Sequence, residues 1–409
     1  MNVPLQHTTD MSSAKPVQTW RRSLTLILIS EVFLSFGFGL TMYAIPFYYH
    51  SAGLSDRAIG LLFAVNATVS GLAAIVIGMV GDKVGASRVF KAASLIVPSG
   101  YLMLGLTHAL WLWVVAGSLS GLGGAGLMST ENVVISSLAQ GHDRTGLFSR
   151  FTALYMFAIG AGVVSAGFLT HALTDRGTLV LGAVIALVAP ALRLLVTVPD
   201  ARAHRLFRLP SRRIIAMTLF AVLFAVGANL ISPFATLIAR DHFGLGSRMT
   251  AVFYATSLFM TSFGSLAVSR LLRRFRRQRT LLVSFVVGIT LTLVMAGWHL
   301  AAVFVIGYLA RIYFLSIPQS IVDAAFVELS HETEYAQMFG TRVFGSSIGQ
   351  AIGSAAGGTL LNHRDLSGLL IASAASMLAA YLYLAALMRR FQFHAGGHTS
   401  LEAPAVTRN

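Results

Sequence analysis

The stretch LTLILISEVFLSFGFGLTMYAIPFYY, residues 24–49, holds one charged residue, Glu31, in a run long enough to cross a bilayer. A hydrocarbon core about 30 Å thick is spanned by roughly 20 apolar residues in a helix. A carboxylate inside such a helix costs about 2.5 to 3.5 kcal/mol on insertion scales, so it must be either compensated or exploited. Reading this stretch as a membrane helix sets the class of fold. Finding what Glu31 meets becomes the functional question.

Similar runs recur along the 409-residue chain, which is 56% apolar and 11% charged, with 38 Gly and no Cys. That composition lies far from the soluble globular average and marks an integral membrane protein. Twelve spans are expected, at 23–48, 58–80, 89–108, 110–137, 147–170, 178–198, 214–239, 249–271, 280–298, 300–326, 338–361 and 367–388. With no Cys there is no disulfide, thiolate metal site or thiol nucleophile. No cofactor is expected. The polar first twenty residues are followed by Arg21 and Arg22, and the apolar run after them is too long for a cleaved signal peptide.

A net charge of +15 raises the possibility of nucleic-acid binding, but such a footprint would gather on one soluble face. Here the basic residues alternate by loop. One side of the predicted topology receives only Arg57, Arg176, Arg240, Arg248 and Arg364. The other receives every remaining Lys and Arg except Arg311, with Arg193 counted among them. The positive-inside rule then places both termini in the cytoplasm of a multi-pass cell-membrane protein.

The two halves of the chain resemble each other. GLSDRAIGLLFA (53–64) parallels GLGSRMTAVFYA (244–255), and Pro46-Phe47 parallels Pro233-Phe234. Arg150 and Glu131 find counterparts in Arg342 and Asp323, all at offsets of about 190 residues. Transporter folds are often assembled from such repeats. The expected organisation is an N-terminal tail (1–22), a six-helix bundle (23–198) and a basic, proline-containing linker (199–213). A second six-helix bundle (214–388) and a C-terminal tail (389–409) follow.

Between the second and third spans the sequence reads GMVGDKVGASR (78–88). Gly78, Asp82, Lys83, Gly85 and Arg88 resemble the G-x-x-x-D-[RK]-x-G-x-x-[RK] loop of the major facilitator superfamily. The resemblance implies an all-α polytopic protein of twelve transmembrane helices in two pseudo-symmetric six-helix bundles, working by alternating access. It also implies that Asp82 and its basic neighbours latch the cytoplasmic side near Arg342. Two departures weaken the latch: Ala86 replaces a common basic residue, and the second-half counterpart has Ser269 in place of Asp.

In that fold, helices 1, 4, 7 and 10 line the central cavity, and the intramembrane charges Glu31, Glu131, Arg311 and Asp323 fall on three of them. Ionisable groups at such depth generally face a bundle interior or water and mark transport routes. Glu31 lies roughly 12 Å inside its helix at 1.5 Å per residue, too deep to reach the interface easily. It is the expected proton-coupling residue, with a permanent structural pair to Arg311 as the alternative. Arg311 keeps its proton and needs either Glu31 or an anionic part of a substrate. Pro318 is expected to kink or unwind helix 10 beside Gln319. Glu131 and Asp323 are either hydrated helix ends or inner-gate residues meeting Arg150 and Arg342. Ser35, Tyr43, Asn229 and Gln319 complete the expected substrate cavity. The stripe Gly345, Gly349, Gly353 and Gly357 in helix 11 predicts a close helix approach.

Rival classes fit less well. GSSIG (345–349) matches a nucleophile-elbow pattern but sits in a glycine-rich helix, without the strand-turn-helix such a site needs, so no enzyme is expected. RLLRRFRRQR (270–279) could hold anionic lipid headgroups, which keeps a lipid translocator or non-transporting receptor as an alternative. The favoured reading is a monomeric transporter exporting a hydrophobic or amphipathic small molecule in exchange for protons. Proton-coupled nutrient uptake is the runner-up.

Overall fold

The structure is a computed structural model that describes residues 16–138, 144–196, 212–329 and 335–390. Its helices are α1 (Pro16–Ser51), α2 (Asp56–Val84), α3 (Ala86–Leu106), α4 (Leu110–Leu138), α5 (Arg144–Ala186) and α6 (Val188–Leu194). The second half contributes α7 (Arg212–Asn229), the short α8 (Ala235–Leu237), α9 (Ser247–Arg274) and α10 (Arg277–Gly297). It ends with α11 (Ala301–Leu329), α12 (Tyr335–Asn362) and α13 (Leu366–Arg390). No strand occurs among the described residues.

Ten of the described segments are long and apolar enough to cross a membrane. The longest, Arg150–Leu194, is interrupted at Thr174, where φ is 63°, and so supplies two traverses. The twelfth traverse is α12, whose many glycines lower its hydropathy. All twelve expected spans are therefore present, in an all-α polytopic architecture. Most of the linker and the C-terminal tail, and the first fifteen residues, lie outside the described residues.

The packing forms two sets. In the first, α1 lies along α5 and α6 while α3 and α4 pack on each other and on α2. In the second, α7 lies between α12 and α13 while α10 and α11 pack together and α9 on α11. Two seams join the sets, α2 against α12 and α5 against α9. Glycine makes the closest approaches possible. A Cβ on Gly60 would meet the Ser354 carbonyl oxygen, one on Gly358 that of Asp56, and one on Gly349 that of Val222. The stripe in α12 accordingly lies against α7, through Thr218, Val222, Val226 and Leu230. Gly85, between α2 and α3, has φ 105°, a conformation that a residue with a Cβ resists.

The seams are tightest at the end of the molecule distal to the termini. There Tyr43 Oη donates to the Ser247 carbonyl at 2.7 Å, joining the two sets. Arg240 stacks on the Phe47 ring at 3.5 Å and approaches Asp175 at 4.0 Å, while His50 lies 3.7 Å from Asp241. Phe63 meets Phe234 edge-on.

Two expected helices behave differently. Pro318 leaves α11 helical throughout Ala301–Leu329. The interruption falls instead in the seventh span, where α7 stops at Asn229 and the chain continues through a 3-10 turn at Ser232–Phe234 and a π turn at Ile238–His242. Proline at position 233 has no N–H to continue the ladder.

Candidate functional site

Glu31 finds its partner within its own bundle. The carboxylate accepts from Arg193 Nη2 at 2.5 Å and from Ser35 Oγ at 2.6 Å. Arg193 Nε donates to Ser30 Oγ at 3.0 Å, and its guanidinium lies 4.0 Å above the Phe90 ring. Glu131 of α4 lies close enough to feel both Glu31 and Arg193. Tyr155 of α5 is close enough to feel both carboxyls. Lys91 Nζ bonds the Val196 carbonyl at 2.7 Å, tying down the end of the short helix that carries Arg193.

This cluster corrects three expectations. Arg193 is fully buried in α6 and is no part of the cytoplasmic loop charge. Glu31 pairs with it and not with Arg311. Glu131 turns toward Glu31, while Arg150 is exposed. Chemically, two carboxyls face one guanidinium. Two carboxyls beside a single cation in a buried site are balanced when one of them keeps its proton, leaving a single ion pair. Arg193 Nη1 is buried without a hydrogen-bond partner among the described residues.

Arg311, also fully buried, serves the second bundle. Its Nε donates to Thr292 Oγ1 at 3.0 Å, and its Nη2 to the Gly227 carbonyl at 3.1 Å and Ser373 Oγ at 2.9 Å. Ser373 Oγ donates in turn to the same carbonyl at 2.5 Å. Those bonds hold α7, α10, α11 and α13 together. Arg311 is therefore enclosed among helices, away from the cavity expected of it.

A cavity of about 140 Å³ does exist, between α7, α11 and α12. Phe220, Phe224, Asn229, Gln319, Arg342, Ser346 and Gln350 are among its lining residues. The structure thus brings together Asn229, Gln319 and Arg342 from the expected set. It leaves out Ser35, which is spent on Glu31, and Tyr43, whose hydroxyl is spent on the distal seam. Arg88 is exposed at the start of α3. The side chains of Asp82, Lys83 and Asp323 lie outside the described residues, so the cytoplasmic latch stays an expectation.

Sequence reasoning missed Arg193, Gln350 and the distal group of His50, Asp175, Arg240 and Asp241. The signal for Arg193 was available, since it lies inside the apolar run 178–198 and not beyond it. Gln350 stands within the glycine pattern of α12, where the spacing speaks only for the small residues.

Three comparisons bear on this geometry. The family model of the Major Facilitator Superfamily matches residues 27–325. A 136-residue stretch is 26% identical to Multidrug resistance protein MdtG of Enterobacter lignolyticus (strain SCF1), covering 32% of this chain and 32% of that relative. Among solved structures, nucleoside transporter NupG superposes with a TM-score of 0.70 at 12% identity, covering 91% of this chain and 100% of that one. A point mutant of it gives 0.74 at 13% identity, over 90% and 99%. The match to the curated relative spans about a third of its length, and the structural likeness carries the fold alone.

Proposed function

The chain belongs to the Major Facilitator Superfamily, and from that premise we propose that it exports a small hydrophobic or amphipathic organic molecule across the cell membrane in exchange for protons. The positive-inside bias puts both termini in the cytoplasm, so the distal seam is extracellular and the cavity belongs to the cytoplasmic side. Within this reading the two bundles correspond to residues 23–198 and 214–388.

One observation carries the proton coupling: Glu131 lies beside the buried Glu31–Arg193 pair, so that two carboxyls share one guanidinium and, for charge balance, one proton. Removing the shared proton leaves two carboxylates against one guanidinium, an arrangement disfavoured in a buried site unless water enters. Loss and regain of that proton is thereby tied to solvent access, which alternates with the conformation of the bundles. A proton crossing about 100 mV supplies about 2.3 kcal/mol, enough to drive a neutral solute up a roughly fortyfold gradient. The partial likeness to a multidrug resistance protein supports export.

The test is flux of lipophilic dyes into or out of proteoliposomes under an imposed pH gradient. Wild-type protein is expected to couple dye movement to the gradient, and Glu31→Gln and Glu131→Gln to move dye only down its own gradient. Unchanged coupling in both variants would remove the carboxyl pair from the mechanism. Proton-coupled uptake is the second reading, consistent with a structural neighbour described as a nucleoside transporter. Reversing the pH gradient separates the two directions. The exposed Arg270, Arg273, Arg274, Arg276 and Arg279 form a face for anionic headgroups, each arginine worth about 1 kcal/mol near a charged surface.

A further inference from the structure

The geometry points to the cavity between α7, α11 and α12 as a subsite for a single planar ring bearing a carboxamide, lactam or carboxylate edge. This rests on the transporter reading above and narrows its substrate class. Size comes first. At about 140 Å³ the space is close to the roughly 150 Å³ that accepts a benzene ring in an engineered core cavity. Its enclosed part accommodates one ring, while Gln319 at its rim is open to solvent.

The walls differ in chemistry. Phe220, Phe224, Ala221, Ala225 and Ala228 of α7 form an apolar side, the two rings lying 5.8 Å apart. Gln319 of α11 and Gln350 and Ser346 of α12 supply the polar side, with Asn229 at the end of α7. Gln319 and Gln350 have no hydrogen-bond partner among the described residues. Asn229 spends its Nδ2 on the Ala225 carbonyl at 2.9 Å, which leaves its Oδ1 as an acceptor.

A carboxamide presents a donor and an acceptor in one plane, and so matches a ligand edge that does the same. That pairing is how Asn and Gln read the edge of a nucleobase. The aromatic faces add stacking area without polar demands. An analogue that lacks such an edge displaces water from the half-buried Gln350 without replacing its hydrogen bonds, and binds more weakly for that reason. Charge narrows the class further. Arg342 is the one ionisable residue among the described residues that line the cavity, and it meets a protonated amine with a like charge. A neutral carbonyl edge fits, as does a carboxylate.

Ligand-observed NMR on the full-length protein in detergent, with no gradient present, tests this with three probes of one ring size: nicotinamide, nicotinate and benzylammonium. Nicotinamide or nicotinate is expected to bind and benzylammonium to bind at least tenfold more weakly. Gln319→Ala and Gln350→Ala are each expected to weaken nicotinamide roughly five- to tenfold, the loss of one neutral hydrogen bond. Nicotinate sensitive to Arg342→Gln would assign the anionic form of the same class. Benzylammonium binding equally well, no probe binding, or nicotinamide indifferent to both glutamines would overturn the proposal. Leu293→Ala, on an exposed face of α10, should leave these affinities unchanged. A failed subsite is distinguishable from failed proton coupling, which is read only in the flux assay.

Discussion

Arg193 decides the behaviour of the two carboxyls beside it. Breaking a buried ion pair by deleting one partner costs about 3 to 5 kcal/mol, because the remaining charge is stranded. Arg193→Met removes the cation and leaves Glu31 and Glu131 in an apolar bundle, where both are stable only when protonated. Such groups bind more protons folded than unfolded, so the variant should lose stability as pH rises through the carboxylate range. Thermal unfolding in detergent at pH 5 and pH 8 checks this, with a clear destabilisation expected at the higher pH. Adding Glu31→Gln and Glu131→Gln to Arg193→Met should restore most of the loss at pH 8. A Tm of Arg193→Met equal to wild type at both values would show that the pair carries no such energy. The depth and isolation of Glu31 were legible in the sequence, but its partner was not. A helix apolar on every face gives no periodicity from which to choose an interior side. Arg311 was the partner the sequence offered because Arg193 was counted with the loop charges, and only packing shows that Arg193 lies inside the bundle.

At the level of the helix, the break after α7 is the feature with consequences. Ile231 N bonds to the Ala228 carbonyl and Leu230 N to that of Val226, so the Gly227 carbonyl lacks its usual helical donor. Arg311 and Ser373 fill that place, and a cation at a helix C-terminus also suits the helix dipole. Ser373→Ala should leave the carbonyl with one donor and cost about 1 to 3 kcal/mol. Hydrogen exchange is expected to speed up at residues 227–232 while the middle of α11 keeps its protection; uniform acceleration through the bundle would point to general loosening. The position of this break illustrates what a pattern can and cannot show. Pro318 was as plausible a breaker as Pro233, yet α11 continues through it. A missing N–H is tolerated where neighbouring helices and side chains accommodate the freed group. Ser316 and Ser320, one on each side of Pro318, bond back to the Tyr313 and Ser316 carbonyls of the turn before it. The glycine stripe of α12, by contrast, was readable directly, because small residues four apart have one structural use that spacing alone reveals.

For the whole molecule, number and symmetry of helices were legible from hydropathy, the alternation of basic loops and the internal offset. The conformation was not. Residues that close the distal seam come from both bundles and show no pattern along the chain, because what they share is a meeting in one of several states. Arg240 is the natural latch there: it stacks on Phe47, approaches Asp175 from the opposite bundle and bonds Asp241 at 2.9 Å. Its side chain is 23% exposed, so solvent screening limits the ion pairs, and the stacking adds about 0.5 to 1 kcal/mol. A shift of about 1 kcal/mol changes the population of a minor open state roughly fivefold. Because the chain has no Cys, one introduced at Ala235, fully buried in the seam, reports its own exposure. Arg240→Ala is expected to raise the rate of maleimide labelling at that cysteine about fivefold, and Gly358→Val, which sets a side chain against the Asp56 carbonyl, to raise it further. Labelling unaffected by either change would mean that the distal closure does not depend on these contacts. Labelling raised by Gly358→Val alone would assign the closure to helix packing, with the charges at the rim contributing only to its electrostatics.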